Sequence, residues 1–342
     1  MRAVVIREHG GPEVLRVEEV PEPTPGPGEA LVRVRACALN HLDIWVRRGI
    51  PGAPFHLPIT TGADVSGDIE ALGEGVTGWE VGSPVMVAPG ISCGACPRCE
   101  SGADHLCPDY GILGETCPGG LSELVVVPAV NLFEKPERLS YEDAAAMTLS
   151  FLTAWHMLVA RAALREGETV LVHAGGSGVG SCAVQIGRHL GAQVIATAGS
   201  ARKLALATEL GAHATINYRD EDFVGRVKAL TDRRGVDVVF EHVGGEVFER
   251  SLRCLAWAGR LVTCGATTGI DARVNLRHLF FKSQSILGST MGTRAEFQEL
   301  VRLFGQGHFR SVIDRSVPMD EIAEAHRAIE AREVFGKVVI RP

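Results

Sequence analysis

Along the first third of the chain, apolar residues come in short runs broken by Gly, Pro or charge. The runs at 3–6, 30–36, 64–71, 84–87 and 124–127 are β-rich, and a turn-rich stretch, Pro-Glu-Pro-Thr-Pro-Gly-Pro-Gly at 21–28, separates the first two. This predicts an irregular, mostly antiparallel, barrel-like domain over residues 1–130. The pattern then changes. A short apolar strand at 169–173 precedes an amphipathic helix at 179–190, stopped by Gly191. A strand at 193–197 and a helix at 201–210, stopped by Gly211, repeat the unit, and strands at 214–217, 236–242 and 260–265 continue it. Strands alternating with helices predict parallel βαβ units in a doubly wound α/β sheet over residues 131–270. Beyond 270 the alternation fades. Runs at 280–288 and 336–341 are expected to return to the first domain as strands, so residues 271–342 complete it around an inserted second domain.

Composition narrows the class without choosing a function. A chain of 342 residues with 46% hydrophobic and 22% charged residues suits a soluble two-domain protein. The net charge of -7, with no basic run, argues against nucleic acid as a partner. No apolar stretch approaches the roughly 20 residues of a membrane span. Arg2, Arg7 and Glu8 interrupt the first apolar run, so no secretory signal is expected and the cytoplasm is the expected compartment.

That compartment bears on the cysteines. Cys93, Cys96, Cys99 and Cys107 form a C-x2-C-x2-C-x7-C run in a lobe spanning 90–110. The spacing lets four thiolates converge on one tetrahedral Zn²⁺, a closed sphere that orders a loop and does no chemistry. Disulfides are the alternative, and a reducing cytosol disfavours them. The remaining cysteines (Cys37, Cys117, Cys182, Cys254 and Cys264) are scattered, as small buried hydrophobes are.

Between the strand at 169–173 and its helix lies Ala174-Gly-Gly-Ser-Gly-Val-Gly180. Gly175, Ser177, Gly178, Val179 and Gly180 read as a phosphate loop: small residues allow close backbone approach, and the helix start offers free N–H groups to a pyrophosphate. A Gly-rich tight turn is the other reading. An NAD-preferring site carries a carboxylate at the end of the next strand, whereas this chain has Ala198-Gly-Ser-Ala-Arg-Lys203 there. Ser200, Arg202 and Lys203 suit a 2′-phosphate, which favours NADP(H), although Arg202 and Lys203 also fit the solvated face of a helix.

Together the cysteine lobe, Gly62-Ala-Asp-Val-Ser-Gly67, the nucleotide loop and the late strands resemble the medium-chain dehydrogenase/reductase family across nearly the whole chain. His173-Ala-Gly-Gly-Ser-Gly-Val-Gly180 and Val194-Ile-Ala-Thr-Ala-Gly-Ser200 look most like its quinone oxidoreductase branch. The resemblance implies a Rossmann domain inserted in a GroES-like domain, Tyr218 near the 2′-phosphate, a small-molecule substrate, and a homodimer or homotetramer. Zinc alcohol dehydrogenases of the family hold a catalytic zinc through three residues. Their places here fall at Asn40, Ala63 and near Leu149, none of them a good zinc ligand.

Without that Lewis acid, hydride transfer suits acceptors that are already electrophilic, quinones or α,β-unsaturated carbonyls. Asn40, Asp43 and Thr153 stand at family positions near the nicotinamide, as groups that polarise substrate or relay protons. Asn40 and Asp43 equally suit the cap of a helix at 41–47, and Thr153 a hydroxyl bonded to its own helix. Gly265, at the carboxyl end of a strand, is expected to let the backbone approach the nicotinamide. Two other functions stay open: an alcohol dehydrogenase with a substitute metal site at His41, Asp43 and Asp64, and an NADPH-binding sensor or structural protein with little turnover.

Overall fold

The computed structural model describes residues 1–50, 52 and 55–342. The chain forms two compact units, Met1–Leu152 with Gly292–Pro342, and Thr153–Met291. The expected divisions at 130 and 270 lie inside the first and the second unit respectively. The observed boundary, between Leu152 and Thr153, falls inside the helix Tyr141–Trp155, which has no Gly or Pro to mark it, and the helix's Ala145 and Ala146 pack on Ala36, Ala38 and Val339 of the first unit. No helix among the described residues is long and apolar enough to cross a membrane.

The first unit is built on the strand Glu29–Ala38, whose apolar residues are buried on both faces. It pairs antiparallel with Asp64–Leu72 along its length, with Leu124–Pro128 over its first half and with Lys337–Arg341 at its end. Val32, Val65, Ile69, Val85, Val127 and Ile340 fill the core of this GroES-like unit. The register sets up the chemistry. Ala38 lies opposite both Asp64 and Val339, so Asn40, Asp64 and Lys337 converge where three strands end or begin. A two-stranded ribbon, Gly90–Ile91 against Gly111–Ile112, carries the cysteine loop.

The second unit is a six-stranded, wholly parallel sheet. We number its strands β1 (Thr169–Val172), β2 (Gln193–Ala198), β3 (Ala214–Asn217), β4 (Val236–Glu241), β5 (Leu255–Thr263) and β6 (Ser285–Gly288). Their spatial order, 3-2-1-4-5-6, is that of a doubly wound dinucleotide fold with its switch point between β1 and β4. One expectation needs correction here. Residues 280–288 do not return to the first unit: Leu276–Phe281 is helical and Ser285–Gly288 extends the parallel sheet beside β5. A short apolar run cannot by itself distinguish a helix turn from an edge strand, nor name the sheet it joins. The run at 336–341 does return, as Lys337–Arg341. After Trp155 the long helix widens into a π turn, His156–Arg161, a rare form that often accompanies function.

Candidate functional site

The four lobe cysteines are brought together by tight local folding. Cys96 starts a short helix, Pro97–Glu100, and a 3-10 turn, Asp104–Leu106, delivers Cys107. The Cys96 and Cys99 sulfurs lie 3.5 Å apart, Cys93 and Cys107 3.5 Å, and Cys93 and Cys99 3.9 Å. Four sulfurs about 2.3 Å from a common centre stand about 3.8 Å from one another, so the cluster fits a tetrahedral zinc. A disulfide would need about 2.05 Å. The Ala95 amide, helped by Cys107, holds the Cys93 thiol down to about 7, toward the thiolate a metal requires. Among the described residues no other group of three or more His, Cys, Asp or Glu side chains is placed to hold a metal. His41, Asp43 and Asp64 therefore do not form the substitute site.

What they form instead is a buried polar knot. Asp43 Oδ2 accepts from the Asn40 amide at 2.7 Å and Oδ1 from the Gly62 amide at 2.9 Å, so Asp43 caps the helix His41–Arg48 and ties it to the segment leading into the strand Asp64–Leu72. Burial pushes its carboxyl up to about 6, against the pull of those amides and of Lys337. The Asp64 carboxylate, fully buried, accepts four donors: Thr148 Oγ1 at 2.5 Å, the Leu149 amide at 2.9 Å, Asn40 Nδ2 at 3.0 Å and Lys337 Nζ at 2.8 Å. Lys337 Nζ also donates to Asn40 Oδ1 at 2.5 Å. Lys337 and Thr148 escaped sequence reading because Lys337 reaches Asp64 through the register of strands far apart in the chain, and Thr148 through the packing of the helix Tyr141–Trp155 on those strands.

In the second unit, β1 runs into the phosphate loop. Ser177 caps the helix Gly178–His189 by accepting from the Gly180 amide at 3.0 Å. The first amides of a helix have no partner within it, so those of Gly178 and Val179 point out of the helix start toward where an anion would bind. Gly180 is required for packing: a Cβ there would meet the Ala174 carbonyl at 2.2 Å. Across the end of β2, Ser200 caps the helix Ala201–Glu209, and the Lys203 side chain lies against Gly176 of the loop. A Cβ on Gly199 would touch Tyr218 Oη at 2.6 Å and Arg219 Nε at 3.1 Å. Ser200, Lys203 and Tyr218 thus gather at one strand end, and Arg219 joins them. Arg219 was hidden from sequence reading, though its place directly after Tyr218 was a usable signal. Arg202 is exposed one residue before Lys203. Gly265 follows β5, its missing side chain leaving the backbone close to His242. Thr153, also in this unit, is buried, and among the described residues its hydroxyl has no hydrogen-bond partner.

A parallel sheet in this order, a glycine-rich loop at its switch point and a separate cluster of four cysteines make up a doubly wound fold of the dinucleotide-binding class with a candidate metal centre. Residues 26–137 match the model for the alcohol dehydrogenase GroES-like domain, and residues 178–306 that for a zinc-binding dehydrogenase. The quinone oxidoreductase of Pseudomonas aeruginosa is 35% identical, over 98% of this chain and 97% of its own. A 2-haloacrylate reductase from Burkholderia is 31% identical, over 99% and 98%. The solved structure of an NAD-dependent alcohol dehydrogenase superposes with a TM-score of 0.97 at 47% identity, covering 100% of both chains. The chain belongs to the medium-chain dehydrogenase/reductase family, in its quinone oxidoreductase branch, and is an NAD(P)H-dependent oxidoreductase.

Proposed function

We propose that this protein is an NADPH-dependent reductase of quinones or α,β-unsaturated carbonyls, with zinc in a structural role only. The observation that carries the reading is Lys337 Nζ, 2.8 Å from Asp64 and 2.5 Å from Asn40. Where zinc alcohol dehydrogenases gather ligands, this chain offers an amide, Ala63 and Leu149; of the two carboxylates nearby, Asp64 is matched by the Lys337 ammonium and Asp43 accepts from the Asn40 and Gly62 amides. Bound NADPH would supply the hydride, which goes to an electrophilic carbon of the acceptor. The chain's own residues bind and orient. The amides of Gly178 and Val179 would take the pyrophosphate, and Ser200, Lys203, Tyr218 and Arg202 the 2′-phosphate. Gly265 keeps the backbone low beside the nicotinamide. The unpartnered Thr153 hydroxyl would donate to the acceptor oxygen, whose proton comes ultimately from solvent. Asn40 and Asp43 hold the strands and helix of the first unit rather than touch the reacting atoms. Cys93, Cys96, Cys99 and Cys107 would hold one zinc that orders their lobe.

Trp257, Phe280 and Phe281 are 63%, 71% and 64% exposed in the unit whose sheet ends at β6, which pairs with no further strand among the described residues; this suits pairing with a second copy in a homodimer or homotetramer. Among the described residues the cysteines form no disulfide, which suits the cytoplasm. An NAD-linked alcohol dehydrogenase is the second reading, favoured by the 47% identity to the protein of that title. A steady-state panel of NADPH and NADH against quinones, enones, aldehydes and ketones, with and without a zinc chelator, separates them. The expected result is chelator-insensitive turnover of quinones or enones, with the lower KM for NADPH and one zinc per chain. Metal-dependent turnover of alcohols or ketones alone would overturn it. Tight NADPH binding with no turnover of any acceptor would point to a sensor.

A further inference from the structure

The phosphate loop is entered through an unusual residue. Ala174, not a glycine, holds φ at 48°, in the left-handed region that costs a side-chain-bearing residue energy. Something must hold it there. Its carbonyl accepts from the Ser177 amide at 2.8 Å, and its own amide donates to Thr197 Oγ1 at 3.3 Å. The next amide, Gly175, donates to the Thr197 carbonyl at 2.8 Å. Thr197 on β2 thus grips the loop entry with both side chain and main chain.

Behind Thr197 lies a buried chain of polar groups that binds no ligand in the reading above. His173 Nδ1 is 3.2 Å from Thr197 Oγ1, and His173 Nε2 is 2.8 Å from Ser251 Oγ. The hydroxyl of Ser251 donates to the Val247 carbonyl at 2.6 Å, which uses its only proton. His173 Nε2 must therefore carry a proton and donate to Ser251. Burial holds the imidazole neutral, with its basicity down to about 3, so Nδ1 is an acceptor and Thr197 donates to it. That leaves the Thr197 oxygen lone pairs facing the Ala174 amide. The chain runs in one direction: Ala174 to Thr197, Thr197 to His173, His173 to Ser251, and Ser251 to the backbone of the helix Gly245–Ser251. His242 Nε2 adds a bond to the His173 carbonyl at 3.0 Å.

We propose that His173, acting through Thr197 and Ser251, is a positioning residue for the dinucleotide: it fixes which way the Thr197 hydroxyl points, and so holds Ala174 left-handed and the loop amides aimed at the pyrophosphate. Preorganisation of this kind lowers the ordering cost of binding. The proposal rests on nucleotide binding by this loop, and not on the choice of NADPH or of a quinone acceptor.

The test is fluorescence titration of the purified protein with NADPH and NADH, on wild type, Thr197→Val, Thr197→Ser and Ser251→Ala. Valine keeps the shape of threonine and removes the relay hydroxyl; serine keeps the hydroxyl. Thr197→Val is expected to raise both dissociation constants by the same factor, about fivefold to tenfold, with Thr197→Ser restoring the wild-type values. Ser251→Ala is expected to weaken both nucleotides in parallel, and it decides the matter if Thr197→Val does not fold. A general loosening would not be rescued by serine, and a 2′-phosphate effect would change NADPH alone; either result overturns the proposal. Unchanged affinities in both Thr197→Val and Ser251→Ala overturn it as well. Wild-type protein that binds neither nucleotide would remove the reading of the loop itself, and this proposal with it.

Discussion

Thr153 and Asp43 show two opposite fates for a buried polar side chain. The Thr153 hydroxyl is enclosed without a hydrogen-bond partner among the described residues, a state that costs stability unless a ligand supplies the missing bond. Thr153→Val should therefore leave the melting temperature unchanged or slightly raised while lowering kcat/KM for a quinone about tenfold to a hundredfold. Steady-state kinetics beside a thermal melt check both halves. Asp43 has partners but pays for burial in its titration. Its folded pKa near 6 lies above the unfolded value of about 3.9, so the folded protein keeps a proton that the unfolded chain has lost. Stability from this group is full below about pH 4 and falls as pH rises toward 6, by an amount on the order of 3 kcal/mol. On raising the pH from 4 to 7, the unfolding free energy of Asp43→Asn should gain on wild type by that order. Denaturant titrations at the two pH values measure it, and a constant gap would show that Asp43 ionises in the ordinary range. Asp64 carries a lesson for redesign. Restoring metal ligands at Asn40, Ala63 and Leu149 would place a dication beside the Lys337 ammonium, so a fourth change, at Lys337, is needed as well.

At the level of elements, what was legible in the sequence was local. The cysteine spacing, the glycine-rich loop and the strand-helix alternation each report local contacts: the four cysteines come together, the loop lies between β1 and its helix, and the alternation runs on past the expected 270 to Gly288. The knot around Asp64 was not legible. Thr148, Lys337 and Asn40 reach it from a helix, a late strand and a loop, brought together by the pairing of Glu29–Ala38 with Asp64–Leu72 and Lys337–Arg341 and by the packing of the helix Tyr141–Trp155 on those strands. Asn40 and Asp43 suited either catalysis or capping, since a cap and a catalytic pair use the same residue types; the hydrogen bonds here are those of a cap. The residues at 280–288 were assigned to the wrong sheet because four largely exposed positions carry no alternation. The cysteine lobe has little backbone pairing of its own. Its two short strands pair through two residues each, too little to order a loop alone. Cys96→Ser should lose the single zinc, counted by atomic absorption, and lower the melting temperature by about 5 to 10 °C. Retention of a full equivalent would mean that the metal is held elsewhere.

For the whole molecule, the parallel sheet ends in β6, whose outer N–H and C=O groups have no neighbour strand among the described residues. Trp257 and Phe281, their rings 5.4 Å apart, lie exposed in the same unit. A second copy covering both would remove an aggregation hazard, so Trp257→Lys with Phe281→Lys should shift sedimentation from dimer or larger toward monomer. A wild-type monomer would refute that assembly. The interrupted first unit also fixes an order of events. Residues 292–342 leave the ribosome only after all of Thr153–Met291 has been made, and domains generally fold as units during synthesis. The parallel sheet can therefore be complete while the strand Glu29–Ala38 still lacks its neighbour Lys337–Arg341. Until that last strand arrives Asp64 has no ammonium to meet, and its carboxylate keeps its water. The closing step of folding is then the neutralisation of one buried charge by a lysine 273 residues away.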